Sequence, residues 1–317
     1  MTFREKGVIM NTRNSDFPVW ENDLLTDNGV IEAYIESCLA RGLLPKTIRC
    51  YRQCLTYLHR WSSTRGKMLL ELSKYDLRDY FLSLAGQVSP ATINGRVRVL
   101  GAFYKFYKAE GLIELNPMAS ISYVRDPKKV KPIITADQLA LALQQYDTKT
   151  FEGYRDMLIA LLMFDSCLRL DEVLSLRREN LLFRPQRSIT VLGKGMKERR
   201  VSFSPKTSIK LAVYLKLHRP DIPGDLLFPT KNGTKVNERN AYRSVARAAS
   251  RAGLKINPHL LRHSGATAWL KATGNLEFIK SLLGHEDIRT TMRYLHTNFN
   301  DIAAKYEQMT PIQAVNI

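Results

Sequence analysis

The chain has 317 residues, of which 44% are hydrophobic and 25% charged, a profile typical of a globular protein of about two domains. No apolar run approaches the ~18 residues that a membrane-spanning helix needs, and we expect neither a signal peptide nor a membrane partner. Lys and Arg outnumber Asp and Glu by 48 to 30, with a surplus of +4 over residues 1–126 and +14 over residues 127–317. This surplus indicates a nucleic-acid partner, and a basic but solvated surface is the alternative.

The N-terminal part predicts an arm and then a small all-helical domain. Residues 1–27 lack strong periodicity, whereas apolar residues recur at helical spacing from Val30 onward. Further helices are predicted over 46–61, 74–84 and 90–111, the first and last of them opening at a proline, where proline is tolerated. Four helices over residues 28–122 therefore predict a four-helix domain.

The four cysteines form no paired framework, which favours a reducing cytoplasm as the location. Cys50 and Cys54 lie one helical turn apart on the second predicted helix. No second pair of ligands accompanies them, so we interpret them as packing residues and predict no metal site.

Residues 123–132 are interpreted as an extended linker, since they combine two prolines with several basic residues and little apolar content. Their charge suits a strap along a DNA backbone, with Lys128 and Lys129 as tentative contacts. An ordinary solvated linker is the alternative.

Residues 133–317 predict a mostly helical domain with one small antiparallel β-sheet. Strands at 188–192 and 200–203 flank a Gly-Lys-Gly turn, which places Lys194 at the tip of a hairpin. Helices are predicted over 136–145, 154–165, 170–176, 207–218, 238–252, 259–272, 277–283, 288–294 and 301–308.

The predicted helix over 238–252 carries arginines at four-residue spacing, which gives it one cationic face. Arg239, Arg243 and Arg247 are tentative contacts to DNA phosphates or to a groove. A solvated helix face is the alternative.

Several polar residues stand where packing does not explain them, and together they suit phosphodiester transfer. The transition state spreads negative charge over oxygens that guanidinium groups bind well, and Arg169 and Arg262 are the candidates. Tyr294 is the candidate nucleophile, with His259 to assist it. Lys194 could give the proton that the leaving 5′ oxygen needs.

Each of these residues also has an ordinary interpretation when it is considered alone. Arg169 could be a surface cation, Lys194 a hairpin tip and Tyr294 a packed tyrosine. His259 and His263 could suggest a metal pair, but a zinc-protease arrangement would need glutamate where Leu260 stands. The joint pattern favours the catalytic interpretation.

Four segments in order, CLRLDEVLSLR, GKGMKERRV, HLLRHSGAT and LLGHEDIRTTMRYLH, resemble the catalytic domain of tyrosine recombinases of the phage-integrase and Xer-like type. LLPKTIRCYRQCLTYLHRW and NPMASI are similar to the SAM-like core-binding domain of the same family. One local departure is Ser166-Cys167, where Thr-Gly is common in the family. The resemblance implies that Arg169 and Arg262 form a phosphate clamp and that Glu172 orients the first arginine. It also implies that Lys194 is the general acid, His259 the histidine of the second motif, His285 a phosphate contact and Tyr294 the nucleophile.

The resemblance further implies a site-specific recombinase that acts on double-stranded DNA at a short inverted-repeat core site. Cleavage would pass through a 3′-phosphotyrosine and a Holliday junction, without a cofactor or metal. A helix around 302–306 would dock on a neighbouring subunit in a homotetramer spanning two DNA sites. The alternatives are a type IB topoisomerase and a DNA-binding regulator that no longer cuts.

Overall fold

A computed structural model describes residues 26–127, 132–193, 198–284 and Thr291. The chain divides into two compact units, Met1–Lys129 and Val130–Ile317. The expected fold class is confirmed, because the units are mainly helical and the second contains a small antiparallel sheet. Among the described residues, no helix has both the length and the apolar character that a membrane crossing requires.

The first unit contains the four predicted helices, α1 to α4. Polar side chains cap three of them: Thr26 accepts from the Gly29 N–H, Ser73 from that of Asp76 and Ser89 from that of Thr92. A short 3₁₀ helix, which the sequence pattern does not predict, precedes α3. The bounds are α1 Asp27–Ala40, α2 Pro45–Ser63, the 3₁₀ helix Leu69–Glu71, α3 Lys74–Ser83 and α4 Pro90–Ala109.

Buried aromatic side chains, many of them on α4, form the core of this unit. Phe103 packs against Tyr34, Tyr104 and Tyr107 with ring centroids 5.0–5.3 Å apart. The Tyr104 hydroxyl donates to the backbone oxygen of Leu69 at 2.8 Å, so this buried polar group is satisfied.

The second unit contains helices α5 to α11 and a three-stranded sheet in the order β1-β2-β3. Each neighbouring pair of strands is antiparallel, and Val191 on β2 lies opposite Arg199 on β3. The bounds are α5 Ala136–Leu143, α6 Phe151–Asp165, α7 Leu170–Leu174, a 3₁₀ helix Arg178–Asn180, β1 Leu181–Leu182, β2 Ser188–Leu192, β3 Glu198–Ser202, α8 Pro205–Val213 with a π-helical turn Tyr214–His218, α9 Glu238–Arg251, α10 Pro258–Thr273 and α11 Leu276–Leu283.

These bounds agree with the predicted elements except in detail. Strand β3 begins at Glu198 rather than at Arg200, and the two-residue strand β1 was not predicted. The helices predicted over 288–294 and 301–308 lie outside the described residues.

Helices α6 and α10 pack against each other at very short range. A Cβ added to Gly265 on α10 would lie 2.0 Å from the backbone oxygen of Phe164 on α6. Only glycine allows so close an approach, which brings the end of α6 beside the first half of α10.

Candidate active site

The turn between α6 and α7 carries the first predicted site residue and is held from several sides. The Asp165 carboxylate accepts from the Ser204 N–H at 2.8 Å and from the Thr207 hydroxyl at 2.7 Å. The Trp269 indole N–H donates to the Asp165 backbone oxygen at 2.9 Å. The backbone before Arg169 is therefore fixed by groups from α8 and α10.

Cys167 occupies a left-handed position in this turn. Its φ is 52°, a value that favours glycine, and its side chain is completely buried. Cys167 belongs to the Ser166-Cys167 pair, the one local departure from the resemblance that the sequence shows. The turn thus keeps a glycine-like backbone while a cysteine fills the space beside it.

Arg169 and Glu172 are joined at the start of α7. The Arg169 backbone N–H donates to Glu172 Oε2 at 2.7 Å, and Arg169 Nη1 donates to Glu172 Oε1 at 2.9 Å. The Arg169 side chain is 42% exposed and that of Glu172 only 7%. The carboxylate thus fixes one side of a guanidinium group that also reaches solvent.

Arg262, on α10, approaches the same carboxylate from the protein interior. Arg262 Nη1 lies 3.6 Å from Glu172 Oε2. Its guanidinium also donates to the backbone oxygen of Cys167 and, at 2.8 Å, to that of Leu283. The structure therefore brings Arg169, Glu172 and Arg262 together, although 93 residues separate the two arginines in the chain.

A third arginine belongs to this cluster, and the sequence pattern did not identify it. Arg199 Nη1 and Nη2 donate to the two oxygens of Glu172, each at 2.8 Å, in a bidentate pair. On β3 the side chains alternate, so Arg199 shares the inward face with the buried Val201. An arginine at an inward strand position was the signal in the sequence that could have identified it.

Glu172 is an ionised carboxylate in this environment. Burial alone would raise its pKa, but the hydrogen bonds and charge of Arg199 outweigh burial. The Arg169 N–H and the charge of Arg262 act in the same direction, and the pKa is lowered to about 2.

His259 and Arg262 lie three residues apart on α10 but differ in exposure. His259 is exposed in the first turn, after the Asn257 cap and Pro258, whereas Arg262 is buried. His263 is buried as well. Among the described residues, no cluster of three or more His, Cys, Asp or Glu side chains could hold a metal ion.

Five of the predicted site residues lie outside the described part of the chain: Lys128, Lys129, Lys194, His285 and Tyr294. Strands β2 and β3 flank the segment that contains Lys194. Helix α11 ends at Leu283, and Gly284 follows it in a left-handed conformation with φ of 61°. The described elements therefore lead directly into the segments of Lys194 and His285.

Helix α9 has the cationic face that its sequence predicts. Arg239, Arg243 and Arg247 are exposed, and Arg251 donates to the backbone oxygen of Gln145 at 3.3 Å. Ala241, Val245 and Ala249 are buried on the other side. The small buried residues let the helix lie close to the core while its arginines face solvent.

Comparison with known proteins identifies the family. Residues 132–301 match the model of the phage integrase family, and residues 30–113 match the phage integrase N-terminal SAM-like domain. The chain belongs to the phage integrase family. This confirms the family that the four sequence segments indicate.

Relatives within this family are Xer recombinases. The chain is 30% identical over 279 residues to tyrosine recombinase XerD of Ralstonia nicotianae, covering 86% of this chain and 91% of that protein. It is 35% identical over 219 residues to tyrosine recombinase XerC of Mannheimia succiniciproducens, covering 68% of this chain and 74% of that protein. These relatives favour site-specific recombination over the topoisomerase and regulator alternatives.

Solved structures of integrase-family proteins share the fold. XerH site-specific recombinase, bound to a palindromic difH substrate in a post-cleavage complex, matches with a TM-score of 0.70 and 21% identity over 95% of this chain and 92% of that one. A lambda integrase dimer bound to a COC′ core site matches with a TM-score of 0.69 and 16% identity over 84% and 93%.

Proposed function

We propose that this phage integrase family member is a site-specific recombinase that cuts and rejoins double-stranded DNA through a 3′-phosphotyrosine intermediate. The observation that carries the proposal is the convergence of Arg169 and Arg262 on the buried carboxylate of Glu172. Two guanidinium groups fixed side by side suit a phosphodiester whose charge grows during the reaction. The Xer relatives support the same chemistry.

In the proposed cleavage step, Arg169 and Arg262 bind the non-bridging oxygens of the scissile phosphate. The Tyr294 oxygen attacks phosphorus, and a new P–O bond forms while the bond to the 5′ oxygen breaks. Lys194 gives a proton to the departing 5′ oxygen, which leaves as a hydroxyl. His259 assists the tyrosine proton transfer, and His285 contacts the phosphate.

The second step reverses the first with a different strand. A 5′-hydroxyl from the partner duplex attacks the phosphotyrosine, which releases Tyr294 and reseals the DNA. Two such exchanges pass through a Holliday junction. The phosphoester energy stays in the covalent intermediate, so the proposed cycle uses neither a nucleotide cofactor nor a metal ion.

DNA binding is assigned to both parts of the chain. We assign residues 28–122 to a core-binding domain, 123–132 to a linker and 133–317 to the catalytic domain, after an arm over 1–27. Arg239, Arg243 and Arg247 on α9 and the linker residues Lys128 and Lys129 are proposed phosphate or groove contacts. The proposed assembly is a homotetramer on two short inverted-repeat sites, joined by the helix around 302–306 and acting in the cytoplasm.

A covalent-capture experiment tests the proposal and defines the DNA site at the same time. The full chain is incubated with a pool of randomised inverted-repeat duplexes, each nicked so that cleavage releases a short strand and cannot be reversed. We expect DNA–protein adducts that survive denaturation, and their sequences define the site. Tyr294→Phe should form none, whereas Tyr75→Phe, at a tyrosine that is 62% exposed in the first unit, should form them normally.

The same experiment separates the alternatives. Adducts with unrelated sequences, together with relaxation of any supercoiled plasmid, would indicate a topoisomerase. Specific binding without adducts would indicate a regulator. Equal adduct yields from the wild type and Tyr294→Phe would refute the assignment of the nucleophile.

A further inference from the structure

Arg199 connects three segments that the proposed reaction uses. Through its two terminal nitrogens it binds both oxygens of Glu172, the carboxylate that also binds Arg169. Its Nε donates to the backbone oxygen of Leu282 at 3.4 Å, at the end of α11. Its own strand, β3, follows the segment that contains Lys194.

Arg199 also determines how Glu172 can bind Arg169. A carboxylate offers about four acceptor positions, and the bidentate pair with Arg199 occupies one on each oxygen. Arg169 then donates to the carboxylate from a single side-chain nitrogen, Nη1. The Arg169 side chain is 42% exposed, which leaves room for a ligand at its guanidinium group.

From these contacts we infer that Arg199 is a positioning residue for the proposed recombination reaction, so the inference rests on the proposed function. It binds the acceptor positions of Glu172 and thereby keeps the fork of Arg169 available for the scissile phosphate. Without Arg199, the buried carboxylate would have fewer cations around it. It would then draw Arg169 into a bidentate pair of its own, because an ionised carboxylate in this interior requires compensation.

The contact with α11 adds a second route of action. Arg199 Nε binds the Leu282 carbonyl and Arg262 binds that of Leu283, so two arginines hold the last turn of α11. These carbonyls at a helix end have no partner within the helix. The α11 end, from which the chain continues to His285, is thus held to the same cluster that holds Arg169.

The inference distinguishes Arg199 from a residue that binds phosphate directly. If Arg199 acts through Glu172, neutralising Glu172 should relieve part of the defect caused by removing Arg199. If Arg199 binds DNA by itself, the fold-losses in cleavage rate of the two single variants should multiply in the double variant. A comparison of single and double variants therefore separates the two roles.

The experiment measures single-turnover cleavage and DNA affinity separately on a nicked suicide duplex obtained by the covalent capture described above. The variants are Arg199→Met, Arg199→Lys, Glu172→Gln and the double variant Glu172→Gln with Arg199→Met. Arg200→Met is the matched control, since Arg200 is an exposed arginine on the same strand. Thermal unfolding followed by circular dichroism reports whether each variant folds.

We expect Arg199→Met to cleave about 100-fold more slowly, the cost typical of a small displacement of a reacting group. Its affinity for the duplex should stay within about twofold, because the proposed DNA contacts on α9 and in the linker are unchanged. Lysine keeps the charge but not the paired guanidinium donors, so Arg199→Lys should cleave about 10-fold more slowly than the wild type. The double variant should cleave at least as fast as Arg199→Met, and Arg200→Met should resemble the wild type.

Two results would overturn the inference while the proposed function stands: cleavage by Arg199→Met at the rate of Arg200→Met, or a double variant whose loss is the product of the single losses. If Arg199→Met does not fold, Arg199→Lys with Glu172→Gln supplies the same comparison. If the wild type forms no adduct with any duplex, the proposed function fails, and the inference fails with it.

Discussion

A Cβ atom added to Gly284 would lie 2.8 Å from Cδ of Arg199, closer than side-chain atoms normally approach. Gly284 also adopts a φ of 61°, where a side chain is strained. Glycine at position 284 therefore suits both the left-handed backbone there and the close contact with Arg199.

This close approach predicts two separate costs for Gly284→Ala. We expect a loss of at least about 2 kcal/mol in the free energy of unfolding, together with slower cleavage because Arg199 is displaced. Gly253→Ala is the control, since Gly253 has a φ of 71° with no atom within 4 Å of the added Cβ. Gly253→Ala should lower the free energy of unfolding, measured in urea, by only about 1 kcal/mol and leave the cleavage rate unchanged. Equal losses for both variants would contradict the close approach.

The crossing of α6 and α10 predicts that Gly265→Ala is strongly destabilising. The added Cβ would overlap the backbone oxygen of Phe164 at 2.0 Å, and backbone cannot move aside cheaply. We expect Gly265→Ala to lower the free energy of unfolding, measured in urea, by about 3 kcal/mol. Gly101→Ala, in the open middle of α4, should instead stabilise the first unit by about 0.5–1 kcal/mol. A mild effect at Gly265 would show that the helices are farther apart.

The lowered pKa of Glu172 predicts a specific acid dependence of stability. The folded pKa of about 2 lies below the unfolded value of about 4.3, so the ionised carboxylate stabilises the fold above pH ~4.3. That contribution, about 3 kcal/mol at most, is lost as the pH falls through about 2. Glu172→Gln should therefore show a smaller drop in unfolding free energy between pH ~5 and ~2 than the wild type. Glu198→Gln, at an exposed carboxylate, should follow the wild type; parallel curves for all three would contradict the prediction.

Thiol reactivity should distinguish one cysteine from the other three. Cys50 is exposed, whereas Cys38, Cys54 and Cys167 are buried. Burial raises the pKa of the Cys54 thiol, and also that of Cys167, to about 12, which removes the reactive thiolate. We expect iodoacetamide to modify Cys50 rapidly in the folded protein and all four cysteines in denaturant, as peptide mass spectrometry would show. Rapid modification of Cys167 in the folded protein would mean that the turn before Arg169 opens.

The exposed arginines of α9 predict a salt-dependent decrease in DNA affinity when they are replaced. Changing Arg239, Arg243 or Arg247 to Ala should weaken binding to the captured duplex and reduce the slope of log affinity against log salt by about 1 for each phosphate that is no longer neutralised. Arg178→Ala is a control at an exposed arginine that pairs with Asp225. Fluorescence anisotropy at several salt concentrations measures the slope. Unchanged slopes for all three arginine variants would show that α9 does not contact the DNA.

Most helices could be predicted because local signals specify them. Thr135, Ser89 and the early prolines mark helix starts, and the apolar spacing gives the buried faces. The 3₁₀ helix Leu69–Glu71 and the two-residue strand β1 are too short for any periodic signal, and the contacts around them determine both.

The structure brings together three residues that the family segments name, and it adds a pairing that depends on the fold. Arg169, Glu172 and Arg262 meet as expected. The bidentate partner of Glu172 is 27 residues away, on a strand whose register with β2 sets the position of Arg199. Periodicity predicts such a strand, but it contains no information on which carboxylate an inward arginine meets.

Charge stoichiometry around Glu172 suggests how the site distinguishes substrate from transition state. Arg169, Arg199 and Arg262 bring three positive charges to one ionised carboxylate, that of Glu172. A phosphodiester in DNA is a monoanion, whereas the five-coordinate phosphorus in the proposed reaction carries roughly two negative charges on its oxygens. The arginine charges should therefore attract the five-coordinate phosphorus more strongly than the ground-state phosphodiester.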